Sequence, residues 1–210
     1  MTVIPRELRK PNTNSAFHRA LRESLFLSDI QKKLLLGSLM GDGCLIVNSS
    51  GTNYRLQVEH CAKQKDYVVW KYNVFKNFVL SKPAYQPRTC SWKFRTLSHI
   101  QFSEYHDMFY TQGRKILPEN LDFLEDPLVC AVWFMDDGGK LGNGCLLNIQ
   151  NFTDAEAYRL RVFFHEKFKI SATLQRNKGH FRLYIPKHKR FLWDNFLGGN
   201  LREEFRYKIS

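Results

Sequence analysis

No segment of the 210-residue chain approaches the roughly 20 consecutive apolar residues that a membrane-spanning helix requires, which argues against a helical membrane protein. Cysteine is scarce and follows no pairing pattern. Cys44, Cys61, Cys90, Cys130 and Cys145 are odd in number and contain no CxxC, so they fit neither a disulfide framework nor a zinc site. Several lie in apolar runs, where a free thiol packs as a small hydrophobe, and a reducing compartment is expected. Negative charge is also short: 20 Asp and Glu stand against 32 Lys and Arg, and the net charge of +12 points to a polyanionic partner. Without a bilayer span, nucleic acid is favoured over a membrane surface. The basic residues Arg6, Arg9, Lys10, Arg19 and Arg22 are interrupted by Glu7 and Glu23 and lead into no apolar core, so they do not read as a secretory signal. The expected setting is intracellular.

What the chain does have is 43% hydrophobic and 14% aromatic residues, ample for one large domain or two of about 100 residues. Residues 34–47, LLLGSLMGDGCLIV, read as an apolar helix running into Asp42 between two glycines. Residues 129–140, VCAVWFMDDGGK, deliver Asp137 against Gly138-Gly139 in the same way. Helices that are apolar nearly all round seek burial, yet Asp is almost never buried unless it is paired or binds metal. Packed side by side, the two helices would bring both acids to one place, where a divalent cation offsets their repulsion. Gly37 and Gly41, one turn apart, would allow close helix approach; Val132 and Asp136 occupy those places in the second stretch. Taken singly, either Asp-Gly is equally well read as a turn.

Periodicity divides the rest into two similar halves. A basic N-terminal extension, 1–28, includes a short helix over 15–27, and Asp29 is the expected cap of the first apolar helix. Strands follow at 44–47 and 54–61, then a helix over 66–80, an alternating segment at 89–95 and a helix over 104–112. In the second half a glycine-rich turn after Asp137 leads to a strand at 145–152 and a helix over 154–168 capped by Thr153 or Asp154. Alternation at 173–175 and 180–185 and a helix over 187–196 complete it. Gln57 lies 15 residues after Asp42 and Gln150 lies 13 after Asp137; Lys115 and Lys208 each follow these glutamines by 58. The expected fold is α+β, with two pseudo-symmetric αββαββα subdomains at 29–125 and 126–210.

The two helix endings resemble the LAGLIDADG homing endonuclease family in its single-chain, two-motif form. Residues 35–43 match at the first Leu, the inner Gly and the closing Asp-Gly; residues 130–138 keep Ala131 and Asp137-Gly138, and WFMDDGGK is similar to a variant ending in that family. The resemblance, over roughly 30–209, implies two curved antiparallel sheets that saddle a DNA duplex, with the subdomains packed through the motif helices. It implies site-specific double-strand cleavage at a long asymmetric target, giving staggered ends. Asp42 and Asp137 would bind metal, Mg²⁺ with Mn²⁺ able to substitute, aided by the backbone carbonyls of Gly41 and Asp136. Gln57 and Gln150 resemble the family's water-orienting residues, and Lys115 and Lys208 its basic residues at the scissile phosphate. The resemblance implies a monomer acting on double-stranded DNA, in an organelle (mitochondrion or chloroplast) or a prokaryotic cytoplasm. Intron RNA stays open as a partner, because some members are splicing maturases, and a nuclease-dead DNA-binding regulator is the other alternative.

The alternating segments supply the candidate DNA contacts. Arg55, Gln57 and Glu59, Thr89, Ser91, Lys93 and Arg95, Asn148 and Gln150, and Thr173, Gln175, His180, Arg182 and Tyr184 form polar sets opposite apolar ones. Arg suits guanine, and Gln or Asn suits adenine. Lys63, Lys65, Arg88, Arg176 and Lys178 are placed on loops that would reach phosphates.

Overall fold

A computed structural model of the chain describes residues 16–209. Of these, 16–35 and 42–107 form one compact unit, and 36–41 with 108–209 form another. Residues 1–15, the first part of the extension expected over 1–28 with the start of its helix, lie outside the described residues.

In the first unit α1 (Ala16–Ser24) precedes α2 (Asp29–Met40), which is capped by Ser28 rather than by the expected Asp29. Ser28 N–H donates to Gln31 Oε1 at 3.0 Å and Gln31 N–H donates to Ser28 Oγ at 3.4 Å, a reciprocal capping box. Strands β1 (Cys44–Val47) and β2 (Tyr54–Cys61) follow, then α3 (Lys65–Val74), β3 (Ala84–Gln86), β4 (Ser91–Arg95) and α4 (Ile100–Phe109). The four strands form an antiparallel sheet in the order β1-β2-β4-β3. Alternation sends Leu56, Val58, His60 and Phe94 inward, where α3 packs on β2 and β4. Arg55, Gln57, Glu59, Lys93 and Arg95 take the opposite face. The expected strand from 89 begins only at Ser91, because Cys90 turns left-handed at φ 48.

The helix expected over 104–112 starts earlier and ends at Phe109. A hairpin of β5 (Tyr110–Thr111) and β6 (Arg114–Lys115) replaces its last turn. Gln112 and Gly113, with φ of 49 and 75, supply the positive pair of angles that suits a two-residue hairpin turn.

In the second unit α5 (Pro127–Asp137) starts at the Asp126 cap, whose side chain accepts from Leu128 and Val129 N–H. Strands β7 (Gly138–Leu141) and β8 (Gly144–Asn148), α6 (Asp154–Phe168), β9 (Thr173–Asn177), β10 (His180–Ile185) and α7 (Lys187–Leu197) complete it. The glycine-rich turn expected after Asp137 is instead strand β7, paired with β8. The sheet order, β7-β8-β10-β9, repeats that of the first unit. Both units therefore run αββαββα, as the periodicity predicts. Thr153 and Glu156 form a capping box at α6. Residues 129–135 are all buried, and Trp133, Phe164 and Trp193 stack edge to face or tilted in the interior.

Residues 36–41 of α2 lie against α5. A Cβ added to Gly37 would fall 2.5 Å from the Val129 carbonyl oxygen and 2.6 Å from Val132 Cβ; one on Gly41 would fall 2.5 Å from Asp136 Cβ. The glycines of one motif thus face the two larger residues that stand in the same places in the other. The departure of the second motif from the small-residue pattern is accommodated by its partner helix.

Candidate functional site

Each motif acid emerges where its helix stops. Asp42 follows α2 directly before β1; its side chain is 47% exposed, and Oδ2 lies 3.6 Å from His60 Nδ1. Asp137 closes α5 at a half-buried position before β7. Asp136 turns its Cβ to Gly41, so neighbouring residues on α5 do point different ways. Among the described residues no group of three or more His, Cys, Asp and Glu is arranged to hold a metal ion. Mg²⁺ does not need one: it is held by one or two carboxylates and keeps several waters. Half-exposed carboxylates at chain turns fit that donor chemistry.

The two lysines stand at the helix ends rather than free. Lys115 Nζ donates to the Gly41 carbonyl at 2.9 Å, and the buried Lys208 donates to the carbonyls of Met135 at 2.6 Å and Phe134 at 3.3 Å. The physical cause is general: the last carbonyls of a helix lack internal partners and carry the negative end of the dipole, so a cation is favoured there. Gly41, one of the two carbonyls implied as metal ligands, thereby has one lone pair committed to Lys115.

The polar sheet faces form largely as expected. In the first unit Gln57 stands opposite Arg95 across the β2–β4 ladder, with Glu59 opposite Lys93. Glu59 is held inside the sheet: Ser91 Oγ donates to it at 2.5 Å, Thr89 Oγ1 at 2.9 Å, and Lys93 Nζ lies 3.0 Å away. The Ser91 bond, then the Lys93 bond and charge, pull the Glu59 carboxyl down to about 2. Arg55 lies where burial, and secondarily the charge of Arg95, lower its pKa. The Nε atoms of Arg55 and Arg182 are both buried without an acceptor.

In the second unit Arg182 stands opposite both Asn148 on β8 and Gln175 on β9, and Tyr184 stands opposite Thr173. The structure moves Gln150 off the strand. β8 stops at Asn148, and residues 149–152 turn toward the α6 cap, with Phe152 N–H donating to Ile149 O at 3.0 Å. The residue opposite Arg182, as Gln57 is opposite Arg95, is therefore Asn148; only strand pairing, not sequence offset, could identify it. Arg176 is corrected as well. It belongs to β9 at the opposite parity to Gln175, lies 2.9 Å from Asp154, and stacks its guanidinium 4.4 Å from the Phe181 ring centroid. Lys178 sits at the hairpin tip and His180 is exposed beside it. Lys63 is exposed in the short 3-10 helix Ala62–Gln64, Arg88 and Thr89 are exposed in a turn, and Lys65 lies 4.7 Å above the Trp92 ring.

Comparison with known proteins identifies the scaffold. The family model of the LAGLIDADG DNA endonuclease family matches residues 32–191. Cytochrome b mRNA maturase bI2 of Debaryomyces hansenii is 30% identical over 154 residues, covering 69% of this chain and 59% of the maturase. Probable intron-encoded endonuclease 1 of Wickerhamomyces canadensis is 27% identical over 199 residues, 87% of this chain and 85% of its own. The homing endonuclease I-WcaI, solved bound to its DNA recognition sequence, has the same fold, with a TM-score of 0.85 and 24% identity over 100% and 99% of the two chains. I-DmoI, solved with DNA and Mn, is more distant, at a TM-score of 0.55 and 14% identity over 80% and 96%.

Proposed function

The chain belongs to the LAGLIDADG DNA endonuclease family, and from that membership we propose that it is a monomeric, site-specific endonuclease that hydrolyses both strands of a long asymmetric DNA target with Mg²⁺ to give staggered ends. The observation that carries the DNA reading is the crowding of cationic donors on one sheet face. Arg55 is partly desolvated and repelled by Arg95, and its Nε has no acceptor. That arrangement costs free energy in the isolated protein and is relieved by a polyanion offering acceptors. Arg55, Gln57 and Arg95 from one sheet, and Asn148, Gln175 and Arg182 from the other, are assigned to base edges. The exposed Lys63, Arg88, Lys178 and His180 are assigned to the backbone.

In the catalytic assignment Asp42 and Asp137 hold Mg²⁺, for which Mn²⁺ substitutes. When bound, the ion activates water and screens phosphate charge. Lys115 and Lys208 are positioning residues that fix the carbonyl ends from which the acids emerge. Gln57 and Gln150 are assigned to orient water. An acid kept at the end of both motif helices supports cleavage over a binding-only role.

Cleavage of a randomised duplex library with Mg²⁺, beside the Asp42→Asn/Asp137→Asn double variant, tests the reading. Recurrent staggered ends around one long sequence, absent in the variant, are expected. Tight library binding without cuts would instead indicate a regulator. The likeness to a maturase favours a second reading, splicing assistance to intron RNA, and tight binding to a structured intron RNA with weak DNA binding would establish it.

A further inference from the structure

One feature of the first unit is absorbed by none of these roles: a fully buried lysine inside α3. Lys71 is 0% exposed, with its ammonium 3.4 Å from His60 Nε2 and 4.5 Å from the Tyr67 ring centroid. His60 is itself buried at the inward face of β2, and its other nitrogen, Nδ1, is the atom 3.6 Å from Asp42 Oδ2. A charged side chain is almost never enclosed unless it is paired, so what surrounds this one is informative. The scaffold does not demand it, since α6, the corresponding helix of the second unit, buries only Ala157, Leu160, Phe163 and Phe164.

We infer that His60 and Lys71 are positioning residues for the Asp42 carboxylate. The chemistry follows from the donors available. An ammonium group donates and cannot accept, so His60 Nε2 receives its hydrogen bond, and the imidazole hydrogen is left on Nδ1, facing Asp42. Cation, ring and carboxylate then lie in series, each polarising the next. Oδ2 is steered to the ring, which sets the orientation of the half-exposed carboxylate. Partners of this kind, one shell behind a ligand, orient it and tune its affinity. The tilted Tyr67 ring, 5.0 Å from His60 and beneath Lys71, closes the apolar side of the chain of contacts.

This inference rests on the assignment of Asp42 as a metal-holding acid, and the test separates the two. Ca²⁺ is titrated calorimetrically into the full-length protein bound to a duplex recovered from the cleavage selection. Circular dichroism and DNA affinity without metal are recorded for each variant. Asp42→Asn is the control: if it leaves Ca²⁺ binding unchanged, the assignment of Asp42 itself is wrong. Lys71→Met, which keeps length and removes charge, and His60→Leu are each expected to weaken Ca²⁺ binding about 10–100-fold while DNA affinity stays constant. His60→Asn, which restores an N–H near the Nδ1 position, is expected to recover most of that loss, an outcome that a purely packing role would not give. Ca²⁺ binding unchanged in Lys71→Met and lost to the same extent in His60→Asn and His60→Leu would overturn the inference. If His60→Leu fails to fold, Lys71→Met and His60→Asn still decide it.

Discussion

The two halves of the chain share one order of elements and one strand order, yet solve the same local problems with different residues. Behind Asp42 stand His60 and a buried Lys71; on α6, the corresponding helix of the second half, the buried side chains are Ala157, Leu160, Phe163 and Phe164. In the first half Lys115 caps one helix-end carbonyl, whereas in the second the buried Lys208 caps two. The sheet faces differ as well: Glu59 and Lys93 knit the first face together, while Arg182 lies between Asn148 and Gln175 on the second. What is shared is what the fold requires, namely alternation, capping and a helix end that delivers an acid. What differs is free to serve an asymmetric partner.

The largest expected effect breaks the match between the two motif helices. Gly37→Val places side-chain atoms on the Val129 carbonyl, a backbone group that cannot turn away. A loss of about 3 kcal/mol, at the upper end for overpacking, is expected from chemical denaturation. The mirror change, Val132→Ala, only opens space and is expected to cost about 2 kcal/mol. Adding Gly37→Ala to it should not restore stability fully, since the new Cβ still meets backbone. Full additive recovery would contradict the packing described.

Next come the lysines. Lys208→Met takes the ammonium from the Met135 carbonyl in a buried setting, while Phe134 O keeps the Gly138 N–H, and is expected to cost about 2–3 kcal/mol, against about 1.5 kcal/mol for Lys115→Met. Equal losses would remove the asymmetry between the two helix ends. On the sheet faces, Arg182→Ala is expected to relax base preference at one target position, at about 1–3 kcal/mol of binding. Arg176→Ala, six residues earlier but on the other face and paired with Asp154, should leave specificity alone and cost under about 1 kcal/mol of stability. Selection on a target library distinguishes them, and a specificity change from Arg176→Ala would reverse the assignment of faces.

The smallest effect is set by pH. Because the Glu59 carboxyl is depressed from its usual 4.5 to about 2, its contribution to stability is fully present above pH 4.5 and lost as pH falls toward 2. The stability gap between the wild type and Glu59→Gln should be constant from pH 7 to about 5 and close across that acid window. A gap that instead widened on acidification would show that the carboxylate is not stabilised in the folded sheet.

Much of this was legible in the sequence because it rests on short-range rules. The helix-end acids, the alternating strand β2 and the Thr153 cap depend on periodicity and local hydrogen bonding, and they stand where periodicity puts them. The missed features depend on pairing or on backbone angles. Gln150 has the spacing of a strand residue, but the turn into α6 takes it out of the ladder. Arg176 reads as a loop residue until the register with Phe181 fixes its face. The hairpin at 110–115 is hidden because Gln112 gives no hint that it will adopt a positive φ. Lys71 looks like an ordinary helix lysine, and only the packing of α3 on β2 reveals that it is enclosed.

Strand-resolved cleavage of a selected duplex, with Asp42→Asn, Asp137→Asn and the double variant compared at saturating Mg²⁺, decides whether the two motif acids carry the cleavage. Each single change is expected to slow cleavage sharply, the double variant to be inert, and all three to bind the duplex as tightly as the wild type. Undiminished cutting by the double variant would contradict that role.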